Sequence, residues 1–100
     1  MAQNGKLTNQ YNGFAIPLQP DTDLGLAMLI AECDDGQHEP VAVVGTISEA
    51  RDVAAGDFRD RMRRRELGED AGLCPTMYKV WARGIDGTYR TACEITDILK

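Results

Sequence analysis

Five guanidinium groups fall within seven residues at Arg59, Arg61, Arg63, Arg64 and Arg65, the densest run of one chemistry in the chain. Arginine forks match phosphate oxygens two at a time, and phosphate neutralisation supplies most of the drive for nucleic-acid binding. Lys79, Arg83 and Arg90 follow, interleaved with Tyr78, Trp81 and Tyr89, whose rings offer stacking surfaces for exposed bases wherever they face outwards. One reading is therefore a nucleic-acid-binding surface carried by Arg59, Arg63, Lys79, Trp81, Arg83 and Arg90. It requires those side chains to converge once the chain is folded. Helix positions 59 to 65 point around the axis in several directions. Asp57, Asp60, Glu66, Glu69 and Asp70 also stand close enough to pair with them, Asp57 with Arg61 at the i,i+4 spacing. The competing reading is a solvated, salt-bridged helix end.

Cys33, His38, Cys74 and Cys93 are the right atom types for a zinc site, but only Cys33 and His38 are near one another, whereas structural zinc sites draw ligands in close pairs. No metal is expected, and the cysteines at 33 and 93 are read as small buried hydrophobes. Asp34-Asp35-Gly36 lacks the later ligands of a calcium loop and reads as a turn. His38 is the sole histidine and lies in an acidic stretch, so no nucleophile has an evident base. No glycine-rich phosphate cradle occurs. The expectation is a chain that is not an enzyme and holds no cofactor.

Charge is divided unevenly along the chain. Residues 1 to 50 hold one base and seven acids (−6), and residues 51 to 100 hold ten bases and nine acids (+1), for a net charge of −5. That balance argues against generic binding of nucleic acid or membrane by the whole molecule. Between Asp21 and Glu49 there is no Lys or Arg. Such an acidic side could steer a basic partner, or occupy a basic groove in the manner of small inhibitory proteins of phages and mobile elements. The apolar share of 43% and charged share of 27% are those of a globular chain. The longest apolar run, Leu24 to Ala31, is far short of the roughly 20 residues that span a bilayer. With three cysteines, none in a Cys-x-x-Cys pair, and no leader-like run at the N-terminus, a reducing, cytoplasmic setting is expected.

The elements that must position these side chains are marked by local chemistry. Residues 1 to 13 carry Asn4, Gly5, Asn9, Gln10, Asn12 and Gly13 and read as a flexible N-terminus. Phe14 to Leu18 is a short extended piece in which Pro17 permits at most an edge strand. Leu26 to Cys33 and Val41 to Val44 pair as a hairpin around Asp34-Asp35-Gly36, with a helix over 24 to 33 as the competing reading. Thr46-Ile-Ser-Glu49 matches a capping box. Ile47, Ala50, Val53, Ala54, Phe58 and Met62 then make an apolar stripe to a stop at Leu67-Gly68, giving a helix over about 47 to 67. Met77 to Arg83 alternates as a strand, Gly84-Ile-Asp-Gly87 turns the chain, and Tyr89 to Ile95 returns.

The expected fold is a single α+β domain over 14 to 100, a two-layer β-β-α-β-β arrangement with one amphipathic helix on one face of a four-stranded antiparallel sheet. Tyr78, Val80 and Ala82 share one face of their strand and Met77 and Trp81 the other. One helix covers one face only, so the second face must be polar or be buried by a partner. The leading expectation is a non-enzymatic protein-interaction module, self-associating through that open face as a homodimer.

Overall fold

The computed structural model describes residues 13–14, 16–69 and 74–99. The flexible terminus expected at 1 to 13 lies, but for Gly13, outside the described residues. The chain folds in the expected order: β1 (Ala27–Cys33), β2 (His38–Val44), α1 (Ile47–Glu66), β3 (Pro75–Arg83) and β4 (Tyr89–Ile95). All pairings are antiparallel, in the spatial order β2-β1-β3-β4. The two hairpins therefore lie side by side, and α1 carries the chain from the β2 edge back to the centre.

Turn chemistry accounts for both hairpins. Gly36 takes φ 86° and the Asp35 carboxylate accepts from the Gln37 N–H at 2.9 Å, the local bond that lets Asp replace a backbone partner. Gly87 takes φ 85° at the second turn. Gly84, beside it, is required for space, since a Cβ there would stand 2.9 Å from the Gly13 carbonyl oxygen. β2 starts at His38 rather than Val41 and so contains Pro40, which an edge strand tolerates because the missing N–H costs no ladder bond there.

The helix opens as its sequence dictates, with one difference. Thr46 Oγ1 accepts from the Glu49 N–H at 3.0 Å, but the Glu49 carboxylate reaches back to the Gly45 N–H at 2.7 Å, one residue before the capping-box partner. At the far end Gly68, at φ 79°, turns the chain so that the Glu69 N–H bonds the Arg64 carbonyl. Ala50 and Ala54 are fully buried against the sheet. Ile47, Val53, Phe58 and Met62 are half-buried, and the last core position is filled by Arg61, only 8% exposed. The stripe is narrower than expected, and one member of the basic cluster belongs to the interior.

Between the layers lie Leu29, Ala31, Cys33, Val44, Tyr78, Val80, Ala82 and Ile95. The edge strand expected at Phe14 to Leu18 does not form among the described residues, of which 14 and 16–18 are irregular. Phe14 is nonetheless buried at 6% exposure, and Leu18 and Leu24 pack against the core. The segment is held by point contacts instead of a ladder: Gly13 O to the Ile85 N–H, Pro20 O to the Ser48 N–H, and the Leu24 N–H to Gly45 O. Pro17 and Pro20 lack the donors a ladder would need.

Candidate interaction face

Strand alternation divides every side chain of the sheet between two faces. In β3, Tyr78, Val80 and Ala82 are buried beneath the helix, so Met77, Lys79, Trp81 and Arg83 face away from it. In β1 the same alternation turns Met28, Ile30 and Glu32 outwards. Register carries it across the sheet: Met28 pairs with Val43 on one side and Trp81 on the other, Ile30 with Pro40 and Lys79, and Glu32 with His38 and Met77. Val41 is the extra residue where the β1–β2 register shifts. That bulge keeps Pro40 and His38 on the same face as Val43 even though the spacing from 43 to 40 is odd.

The result is an apolar groove of about 530 Å³ on the side of the sheet opposite the helix. Its floor is Met28 and Ile30, one wall is Pro40 and Val43, and the other is Trp81. Tyr89 closes one end by reaching over β3 to donate its hydroxyl to the Leu26 carbonyl at 3.1 Å. Leu26, Val43 and Tyr89 on its rim are 75%, 57% and 53% exposed. Exposed apolar side chains scattered singly need no explanation, whereas contiguous ones around a groove mark interaction surfaces. At the other end the face becomes polar. Glu32 stands 3.3 Å from His38 Nε2 and 3.5 Å from Lys79 Nζ, and the His38 ring lies 6.2 Å from that of Trp81.

Both edges of the sheet are interrupted. β2 carries Pro40 and the Val41 bulge, and β4 carries an extra residue, Ala92, where the register with β3 shifts between Val80 and Trp81. Bulges and prolines are the devices that stop a free edge from templating another strand. The face, not the edge, is left open.

A second cluster of titratable groups lies beneath the helix. Tyr78, fully buried, donates its hydroxyl to Asp57 Oδ2 at 2.6 Å, the same oxygen accepts from Arg61 Nε at 2.8 Å, and Arg61 Nη2 meets Glu39 Oε1 at 2.8 Å. Burial and then the Asp57 hydrogen bond push the Tyr78 phenol far above its ordinary pKa. Burial alone would lower the pKa of Arg61, but the hydrogen bonds it donates to Glu39 and Asp57 outweigh that and keep the guanidinium charged. The network ties α1 to both hairpins. Its two cores, Tyr78 and Arg61, are buried while Asp57 and Glu39 stand at its partly exposed margin, which is the arrangement of a clamp.

The six side chains singled out in the sequence do not form one surface. Lys79, Trp81 and Arg83 share the open face. Arg59 and Arg63 are exposed on the helix in the other layer, Arg63 lying 3.6 Å from Asp60. Arg90 is opposite Ala82 on the helix side of β4 and pairs with Asp86 at 2.5 Å; that bond, with the Thr88 bonds, holds the Asp86 carboxyl well below its ordinary range. Of the acidic residues on the first hairpin, Glu32 lies on the open face and Glu39, opposite Ala31, on the helix side. Met28, Ile30, Pro40 and Val43 carried no chemical signal in the sequence, since β1 is apolar on both faces and only register reveals which residues meet.

Cys33 is buried, Cys74 and Cys93 are half-buried, and all three are free thiols; burial raises the pKa of Cys33 and Cys93. Among the described residues no three His, Cys, Asp or Glu side chains are grouped to hold a metal ion, and no helix is long and apolar enough to cross a membrane. No protein-family model, curated protein or solved structure matches this chain.

Proposed function

We propose that this chain is a non-enzymatic protein-interaction module that works through its open sheet face, with self-association as its mode. The observation that carries the reading is the groove over β1, where exposed Leu26, Val43 and Tyr89 surround a floor of Met28 and Ile30. Burying one such side chain fully stabilises a contact by about 1.5–3 kcal/mol, and among the described residues no Asp, Glu, Lys, Arg or His lines the groove to oppose that gain. The interrupted edges at Pro40 and Ala92 support the face over strand addition.

A second reading, nucleic-acid binding, keeps support from Trp81, Lys79 and Arg83 on one face. It is weakened by Glu32, which pairs with Lys79 there, and by the position of Arg59, Arg63 and Arg90 in the other layer. Light scattering of the wild-type chain and of Val43→Glu, with an oligonucleotide titration at two salt concentrations, separates the two. A wild-type mass above that of one chain, reduced by Val43→Glu and unaffected by oligonucleotide, is the expected result. A monomer at every concentration, or oligonucleotide binding that weakens steeply with salt, overturns it.

A further inference from the structure

We infer that the groove is filled by the same face of a second copy, about a two-fold axis running along the strands between β1 and β2, so that the β2 ridge of each protomer seats in the trough over β1 of the other. This rests on the self-association proposed above and specifies its geometry. β2 and β3 flank β1 at two strand spacings, about 9.5 Å apart, so the trough is one side-chain row wide. The ridge of β2 is one row wide too, and as the edge strand it has a free outer flank to offer.

The two rows are complementary along their length. The trough floor reads Met28, Ile30, Glu32, and the ridge beside it reads Val43, Pro40, His38, in matched register. An axis parallel to the strands preserves height along them, so Val43 of one copy sits over Met28 of the other, Pro40 over Ile30, and His38 over Glu32. Apolar meets apolar, and the imidazole meets the carboxylate. Trp81 of one protomer then flanks Val43 of the other, and the two Val43 side chains lie next to each other across the axis. Packed sheets cross at about 30°, which a short three-row contact centred on the Ile30–Pro40 pair accommodates. An axis across the strands would instead set ridge on ridge and trough on trough, leaving both grooves empty, which close packing disfavours. An isologous contact of this kind closes at two copies.

The arrangement also sets its strength. The groove is lined by eight residues, against the roughly 20–30 a side of a standard interface, so the dimer is weak and concentration-dependent. Both Asp34-Asp35 turns lie at the same end of the pair and the chain carries net charge −5, so raising the salt concentration tightens it by screening.

The test is charge complementation at the axis. Val43→Glu and Val43→Lys each place like charges side by side and are expected to be monomeric at concentrations where the wild type is dimeric. Their equimolar mixture is expected to dimerise at least about tenfold more tightly than either alone, as paired rather than like charges meet. Val43 is 57% exposed on an edge strand, so both variants fold, which circular dichroism checks, and a Pro40→Glu and Pro40→Lys pair probes the next row. A wild-type dimer whose variants are monomeric but never rescue one another overturns the two-fold seat and leaves the face as the contact. Variants as dimeric as the wild type, or a monomeric wild type, overturn the proposed function with it.

Discussion

Asp57→Ala should be among the most damaging substitutions outside the apolar core, and its cost follows from the bonds it breaks. The Asp57 carboxylate is the acceptor for the buried Tyr78 hydroxyl at 2.6 Å and for Arg61 Nε at 2.8 Å. Removing it leaves a buried hydroxyl unsatisfied, which costs about 1–3 kcal/mol. It also removes one carboxylate partner from Arg61, whose side chain is 10% exposed. Breaking a buried ion pair outright costs about 3–5 kcal/mol. Here Glu39 stays in place 2.8 Å from Arg61 and Asp57 itself is 23% exposed, so a total of about 3 kcal/mol is expected. That is a large part of the roughly 5–15 kcal/mol that holds a domain folded, and it corresponds to a fall in Tm of about 12–24 °C for a domain of this size.

The comparison is Asp60→Ala on the same helix. Asp60 also meets two arginines, Arg63 at 3.6 Å and Arg64 at 3.1 Å, but its side chain is half-exposed, so the loss should stay below about 0.5–1 kcal/mol. Tyr78→Phe keeps the ion pair and should cost an intermediate amount, about 1.5 kcal/mol. Urea and thermal unfolding followed by circular dichroism, in the Val43→Glu background so that dimerisation does not contribute, gives all three values. Equal losses for Asp57→Ala and Asp60→Ala would refute the assignment of Arg61 and Tyr78 to a buried clamp.

Alkaline pH should also destabilise the fold. Tyr78, Cys33 and Cys93 all have raised pKa values, burial being the first cause in each. A group raised on folding contributes stability in full below its unfolded value and loses it as pH climbs towards the folded one. Urea midpoints should therefore fall from about pH 8.5, where unfolded thiols titrate, and faster beyond about pH 10, where unfolded tyrosine does; midpoints that rise over that window would contradict it. Gly84→Ala drives a Cβ to 2.9 Å from the Gly13 carbonyl and 3.0 Å from Arg90 Cδ, an overpacking worth about 1–3 kcal/mol. An unfolding midpoint unchanged from wild type would show that the 13–24 segment yields freely.

Much of the fold was legible because it is written in local chemistry. Asp35-Gly36 and Asp86-Gly87 make turns by bonding their own backbone, Thr46 caps the helix, Gly68 ends it, and the alternation of 77 to 83 sorts Tyr78 from Trp81. These signals act within a few residues and need no partner from elsewhere in the chain. The unread parts are those set by distant contacts. Arg61 looks from sequence like its exposed neighbours, and only Glu39 and Tyr78, brought over by β2 and β3, make it an interior residue. Val41 and Ala92 look like ordinary strand residues until the register shows that each is one too many. Phe14 is buried without being in a strand, which no period reveals. The candidate face was half legible: alternation set Trp81 and Tyr78 on opposite faces without deciding which of the two points outwards, and Val43, Met28 and Pro40 gain meaning only when register sets them in one row with Trp81.

Trp81 is the sole tryptophan and stands on the wall of the groove, so its fluorescence reports directly on whether that face is covered. The decisive measurement is the Trp81 emission maximum of the wild-type chain, followed over several decades of dilution alongside the mass from sedimentation equilibrium. Two curves that move together, with emission shifting to the red as dimer gives way to monomer, and a Val43→Glu chain already red-shifted at the top of the range, are the expected outcome. An emission maximum that stays constant while the mass changes would place the contact elsewhere on the molecule, and a constant mass of one chain would remove self-association altogether.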